Sequence, residues 1–230
     1  MISQSPFTHS LIHSFAHSLI HSLLHSLMIF YGANGHAKVV IESWVAGGGK
    51  ITGIFDDNEA IREVLGYPVQ GRYDGNRFPG DPLVISIGSN AIRQRLDKLL
   101  TCNYGMVIHP SAIVSPSCIV REGTVIMAGA IVNAGTEIGG HVIVNTSASV
   151  DHDCRIGDFA HISPNATLCG GITVGEGTQV GAGTTVIPNL TIGKWAVIGA
   201  GSVVIGDVPD HAVIAGVPGR VVGEAVAKGQ

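Results

Sequence analysis

The chain has 230 residues, room for one large domain or two small ones. Only 13% of residues are charged, the net charge is -4 and there are 32 glycines, which excludes a basic nucleic-acid surface and suggests a turn-rich β or mixed fold. Cys102, Cys118, Cys154 and Cys169 lack C-x-x-C spacing and read as reduced thiols of a cytoplasmic protein, and no 18-residue apolar run predicts a membrane span.

Residues 9–28 read HSLIHSFAHSLIHSLLHSLM, with His9, His13, His17, His21 and His25 at every fourth place. On a helix that period drifts by about 40° per step, so the imidazoles spread around the cylinder. No carboxylate or Cys is present to complete a metal shell. No Lys or Arg precedes Lys38, so the charged start of a signal peptide is missing. Residues 1–27 therefore read as a low-complexity leader, and the fold is expected to start at Met28.

From Met28 the pattern is strand (MIFY), Gly turn (GANGH), helix (AKVVIESWVA) and a second strand (ITGIFDD). A third strand, PLVISIG, precedes SNAIRQRLDKLL, an amphipathic helix with Ile92, Leu96, Leu99 and Leu100 on one side. Alternating strands and helices predict a small parallel sheet over residues 28–107. Its first turn offers backbone N–H groups and a helix N-terminus to a phosphate. Gly32-Ala33-Asn34-Gly35 with Asp56-Asp57 fits a dinucleotide, or a nucleotide or nucleotide-sugar. The domain ends after one mononucleotide half, which favours the latter pair over NAD.

The strongest pattern is a period of six. Ile108, Val114, Val120, Ile126, Val132, Ile138, Val144, Val150, Ile156, Ile162, Leu168, Val174, Val180, Val186, Ile192, Ile198 and Val204 follow without a break. Two places earlier the side chain is usually small, as at Ala112, Cys118, Ala130, Ala148, Cys154 and Ala160. So short a period predicts a solenoid of one strand and one corner per repeat, three strands closing a triangular coil over residues 108–206. Residues 207–230 read as a tail.

YGANGH, FDD, IGSNAIR, IHPSAIVSPS, NTSASVDHDCRIGDFAHISPNA and AGVPGR make residues 28–220 resemble the NeuD/PglD-type sugar O/N-acetyltransferases. The resemblance implies a Rossmann-like α/β half-domain that binds a nucleotide-sugar, followed by a left-handed parallel β-helix. It also implies acetyl-CoA as co-substrate, no metal, and a homotrimer with active sites at subunit interfaces.

Asp151-His152-Asp153 breaks the apolar repeat with three titratable groups, and a carboxylate beside an imidazole suits a general base. The alternative is a surface histidine on a solenoid rung. By resemblance His152 is the base and Asp153 its partner. Asn145, one hexad before Asp151, is expected near the same face to orient the amine. The resemblance also places His161 at the acetyl end and the Gly170 N–H at the thioester oxygen. The rest of acetyl-CoA would lie near Ala182, Ala200 and Val217. His152 and His161 are half a coil apart, so they should meet only between subunits. Gly32, Asn34, Gly35, His36, Asp56, Asp57, Gly88, Asn90 and Arg93 are the expected substrate contacts. His109 reads as structural, and His141 and His211, without acidic neighbours in sequence, as surface residues.

The implied activity is acetylation of a UDP-linked 4-amino-sugar in bacterial glycan synthesis. Sialic-acid O-acetylation, a zinc carbonic-anhydrase-like lyase and a non-catalytic scaffold are the alternatives. The lyase needs three converging imidazoles, which the histidine spacings do not favour. Truncation to Met28 is expected to leave activity intact, and a large loss in a transfer assay would overturn that reading of the leader.

Overall fold

The computed structural model describes residues 27–75 and 77–225, so the histidine-rich stretch lies outside the described residues. The α/β unit begins with β1 (Leu27–Tyr31), α1 (Gly35–Ala46) and β2 (Lys50–Phe55). A small hairpin, β3 (Glu63–Val64) and β4 (Tyr67–Pro68), precedes β5 (Leu83–Ile85) and α2 (Asn90–Leu99). The sheet is parallel, in the order β2-β1-β5. Ser89 caps α2 by accepting the Ile92 N–H. Ile92, Leu96 and Leu100 pack beneath the sheet as expected. Leu99 does not, being 67% exposed at the end of the helix.

Beyond Val107 the chain forms a triangular solenoid of two-residue parallel strands. Sheet I runs from Ile113–Val114 to Val203–Val204, and sheet II from Ile119–Val120 to Thr191–Ile192. Sheet III runs from Val107–Ile108 to Ala212–Ala215 and is closed by the antiparallel strand Arg220–Glu224. Each residue stacks on the one 18 places later, as Ser149 does on Thr167 and Val150 on Leu168. The hexad residues from Ile126 to Ile198 fill the interior, with Ala130, Ala148, Cys154, Ala160 and Ala166 beside them. Ile108 at the open end is exposed.

Three residues after each hexad residue from Val120 to Ile198 the backbone turns with positive φ. The turning residues include Gly135, His141, Ser147, Asp153, Phe159, Asn165 and Gly171. That conformation costs most residues energy and favours Gly, Asn and Asp. Asp153 (φ 57) thus occupies a corner position where the coils on either side carry Gly135 and Gly171.

The α/β unit sits on sheet III. Strand residues alternate in direction, so the residue before each hexad residue points outward. On sheet III the outward column begins Val107, Val125, Ile143, and these join Phe30, Ala37, Val40 and Ile41 in one buried cluster. On sheets I and II the matching Ile113 and Ile119 are exposed. Leu168→Ala should destabilise the fold by about 2–5 kcal/mol, because the side chain is wholly buried and the stacked coils cannot collapse around the gap. Denaturant unfolding would measure it.

Candidate active site

The corner between sheets I and II carries residues 151–154 and, one coil on, 169–172. His152 Nδ1 lies 2.9 Å from Asp153 Oδ2, and the two side chains are 61% and 73% exposed. The hydrogen bond that His152 donates to Asp153 raises the His152 pKa above its ordinary value. Asp151 Oδ1 accepts the His152 N–H (2.9 Å) and the Asn133 amide (2.9 Å), which secures the turn. The His152 ring covers Gly170, where a Cβ would come within 2.5 Å of its Cε1 and Nε2. Only glycine leaves room for that approach. Among the described residues the Gly170 N–H donates to no backbone oxygen, while its carbonyl accepts from Asn189.

Asn145 is not part of this cluster. One hexad is one face of a three-sided coil, so Asn145 follows a strand of sheet III whereas Asp151 follows one of sheet I. Residues share a column only when 18 apart, and the residue beside Asp151 is Asn133. Asn145 instead pairs with His161, Nδ2 to Nε2 at 2.9 Å. Ala182 and Ala200 stack on the corner between sheets III and I, linked by the Gly201 N–H to the Ala182 carbonyl (2.8 Å). Val217 is exposed in the loop before the last strand. The expected acetyl-CoA contacts are thus divided between two edges of one prism.

A second cluster lies in the seam between the α/β unit and sheet III. At the fourth place of the outward column Val, Val and Ile give way to His161, whose ring centroid is 6.2 Å from that of His36 in the Gly turn. Burial holds both histidines neutral, lowering His36 to about 4 and His161 to about 3, with the nearby positive charge of Arg93 adding to each. The Gly88 backbone beside His161 opposes that shift. Gly32 makes the turn at φ +118, and a Cβ there would meet Ile87 at 2.5 Å. Asn34 and Gly35 are exposed at the start of α1.

Asp56 and Asp57 have separate tasks. Asp56 is nearly buried and accepts the Ala33 N–H and the Asn58 N–H, both at 2.8 Å, bracing the Gly turn against the end of β2. Asp57 accepts the Tyr31 hydroxyl at 2.6 Å and opens onto a cavity of about 880 Å³ shared with Glu59, Arg62, Gln70 and Arg72.

Arg93 and Asn90 are not open to substrate. Arg93 is 1% exposed, and its donors reach the carbonyls of Ile87, Gly88, His141, Phe159 and Ala160 and the Asn90 side-chain oxygen. Asn90 is also buried and donates to the Gly177 carbonyl at 2.9 Å. His141 is not a surface residue either. It is buried with Nε2 3.1 Å from Asp97 Oδ1, its ring stacked on Phe159, and burial lowers its pKa. The partner was invisible in sequence because it lies 44 residues away on α2. Among the described residues, no group of three His, Cys, Asp or Glu is placed to hold a metal ion. No helix there is long and apolar enough to cross a membrane.

Residues 27–99 match the PglD N-terminal domain family, and residues 171–206 match the bacterial transferase hexapeptide (six repeats) family. Perosamine N-acetyltransferase from Caulobacter crescentus, crystallised as a histidine-to-asparagine variant with CoA and GDP-perosamine, is 42% identical. The alignment covers 86% of this chain and 97% of that one, with a TM-score of 0.82. The chain belongs to the NeuD/PglD-type sugar N-acetyltransferases. The acetyltransferase domain of PglB from Neisseria gonorrhoeae FA1090, also crystallised with acetyl coenzyme A, is 36% identical over 86% of this chain and all of that one, at a TM-score of 0.79. No curated protein matches the chain. As a NeuD/PglD-type transferase the protein is a CoA-dependent acyltransferase, and its solenoid is the left-handed β-helix of the hexapeptide enzymes.

The neutral seam makes stability depend on acid. An unfolded histidine takes up a proton near its ordinary 6.5, whereas the folded His36 and His161 do so only near 4 and 3. Below 6.5 the unfolded chain binds more protons, so stability falls as pH drops through this window. The melting temperature should decline from pH 6.5 to 4.5, and His161→Gln should flatten the slope. A slope unchanged by both His161→Gln and His36→Gln would refute the assignment.

Proposed function

We propose that the protein transfers the acetyl group of acetyl-CoA to the amine of a nucleotide-linked 4-amino-sugar by direct attack, with His152 as general base. The observation that carries this reading is the His152–Asp153 pair seated over Gly170. With Nδ1 donating to Asp153, Nε2 keeps a free lone pair to take the proton from the attacking amine, and the carboxylate favours the imidazolium that results. Acetyl-CoA supplies the acetyl group as a thioester. The Gly170 N–H, aimed at the thioester oxygen, would be worth about 3 kcal/mol as one oxyanion donor. In this reading no covalent enzyme adduct and no metal is used.

The α/β unit carries the nucleotide in this proposal, with Gly32, Asn34, Gly35 and His36 at the phosphates and sugar and Asp57 at the nucleoside. Asp56 acts behind the turn. His161 with Asn145 faces the acetyl end from a neighbouring subunit, and Ala182, Ala200 and Val217 line the groove for the rest of acetyl-CoA. A homotrimer is part of the proposal. It is supported by the open corner at His152 and by the division of the expected contacts between two edges of one prism. Residues 28–107 act as the substrate unit, 108–206 as the transferase prism, and 207–230 as its C-terminal end. The enzyme would serve bacterial glycan synthesis in the cytoplasm.

UDP is the nucleotide expected from sequence. The GDP-perosamine bound to the 42%-identical relative favours GDP as a second reading.

Thiol release from acetyl-CoA should be measured with UDP-, GDP- and dTDP-linked 4-amino-sugars, and no release with any of them would sink the proposal. His152→Ala should lower kcat by about 10²–10⁴-fold. Because Asp153 raises the His152 pKa, Asp153→Asn should move the acid limb of the kcat/KM profile to lower pH. An unmoved limb would remove His152 from the role of base.

A further inference from the structure

We propose that Arg93 is a positioning residue for acetyl transfer, a clamp that sets where the substrate-bearing α/β unit stands on the prism. The inference rests on the N-acetyltransferase reading above and deepens it.

The guanidinium divides its donors between the two units. On the α/β side Nη1 reaches the carbonyls of Ile87 (3.1 Å) and Gly88 (3.0 Å), in the segment between β5 and α2. On the prism side Nε reaches His141 (3.0 Å), and Nη2 reaches Phe159 (2.8 Å) and Ala160 (3.4 Å). His141 and Phe159 are 18 apart, so one side chain grips two successive coils at the corner between sheets II and III. Asn90 Oδ1 accepts from Nη2 at 3.0 Å and orients the plane.

Among the described residues no carboxylate pairs with this buried charge. An isolated buried cation costs folding energy, and apolar replacement of buried ions is often neutral or stabilising. Stability is therefore a weak account of its presence, and geometry a stronger one. The planar fork fixes acceptors in defined directions on several sides, whereas a lysine ammonium is a compact point charge with freely rotating donors.

The gripped segments lead straight to the seam. Gly88 lies against the His36 ring, 3.6 Å from its Cγ to a Cβ built on the glycine, and its backbone acts on the His161 pKa. Ala160 immediately precedes His161. Around Arg93 the rest of one helical face docks on the same corner. Asn90 donates to the Gly177 carbonyl, Gln94 pairs with Glu176, and Asp97 pairs with His141. Positions 90, 93, 94 and 97 follow the i, i+3, i+4, i+7 spacing of one side of a helix. Arg93 sits at the centre of this polar stripe and alone reaches both units through several bonds. Loosening it should shift the sugar amine relative to the thioester, and a misplacement of about 1 Å can cost about 10²-fold in rate.

The test uses the full-length oligomer with Arg93→Met, which keeps volume without donors, and Arg93→Lys, which keeps charge without the fork. Both should lower kcat by about 10–100-fold while KM for acetyl-CoA moves less than about threefold. Amide hydrogen exchange should speed up by about tenfold or more in residues 87–93 and 159–162. A folded Arg93→Met with kcat within about twofold of wild type overturns the proposal, as does a change confined to KM for acetyl-CoA. If Arg93→Met does not fold, Arg93→Lys decides: wild-type kcat and exchange overturn the clamp. A wild-type enzyme that releases no thiol would refute the N-acetyltransferase reading. The exchange comparison would still test the clamp in that case.

Discussion

The 18-residue register of the solenoid is the constraint on which everything else depends. Backbone hydrogen bonds between coils, such as Asp151 N–H to Leu168 and Arg155 N–H to Ile172, fix residue i over residue i+18. That register puts His152 over Gly170, Asp151 beside Asn133, and Asp153 in a corner column between Gly135 and Gly171. It also makes the prism a rigid ruler, since a slip of one residue would turn every hexad residue out of the core. A site built on such corners needs no supporting loop. Its side chains are set by backbone that is itself bonded above and below.

The α/β unit uses the ruler from outside. Its contact with sheet III is apolar over the first coils, through Val107, Val125 and Ile143, and turns polar where His161 takes the fourth place. Helix α2 is buried on two sides with opposite chemistry. Ile92, Leu96 and Leu100 face its own sheet, while Asn90, Arg93, Gln94 and Asp97 face the prism corner. Apolar packing supplies adhesion without direction. The hydrogen bonds add direction, because carbonyls at a corner accept only along defined lines.

The hexad repeat was legible because a period of six tolerates no other architecture, and the strand-turn-helix start was legible from its Gly turn. The pairing of His152 with Asp153 was legible because the two are adjacent. What stayed hidden shares one cause, which is that sequence spacing does not reveal which surface covers which. The polar stripe of α2 looks like a solvated face until the prism is placed against it, so Arg93 and Asn90 looked available to substrate. His141 looked exposed for the same reason. Asn145 and Asp151 are one hexad apart, whereas a three-sided coil returns to the same edge only after three strands, so the spacing itself places them on different edges.

The histidines of the two clusters are driven in opposite directions. His152 stands on an open corner where a carboxylate raises its pKa, so it can gain and lose a proton in contact with water. His36 and His161 stand in a seam where burial and the Arg93 charge lower theirs. Environments that push like groups apart in this way assign them different work. A proton carrier has to change charge during each cycle, which a buried imidazole beside a guanidinium resists. A neutral imidazole with a fixed tautomer is instead a directional hydrogen-bonding group, suited to holding an uncharged acyl or sugar oxygen. The clamp at Arg93 serves both ends of this arrangement, because the charge that helps keep the seam neutral belongs to the side chain that ties the seam together.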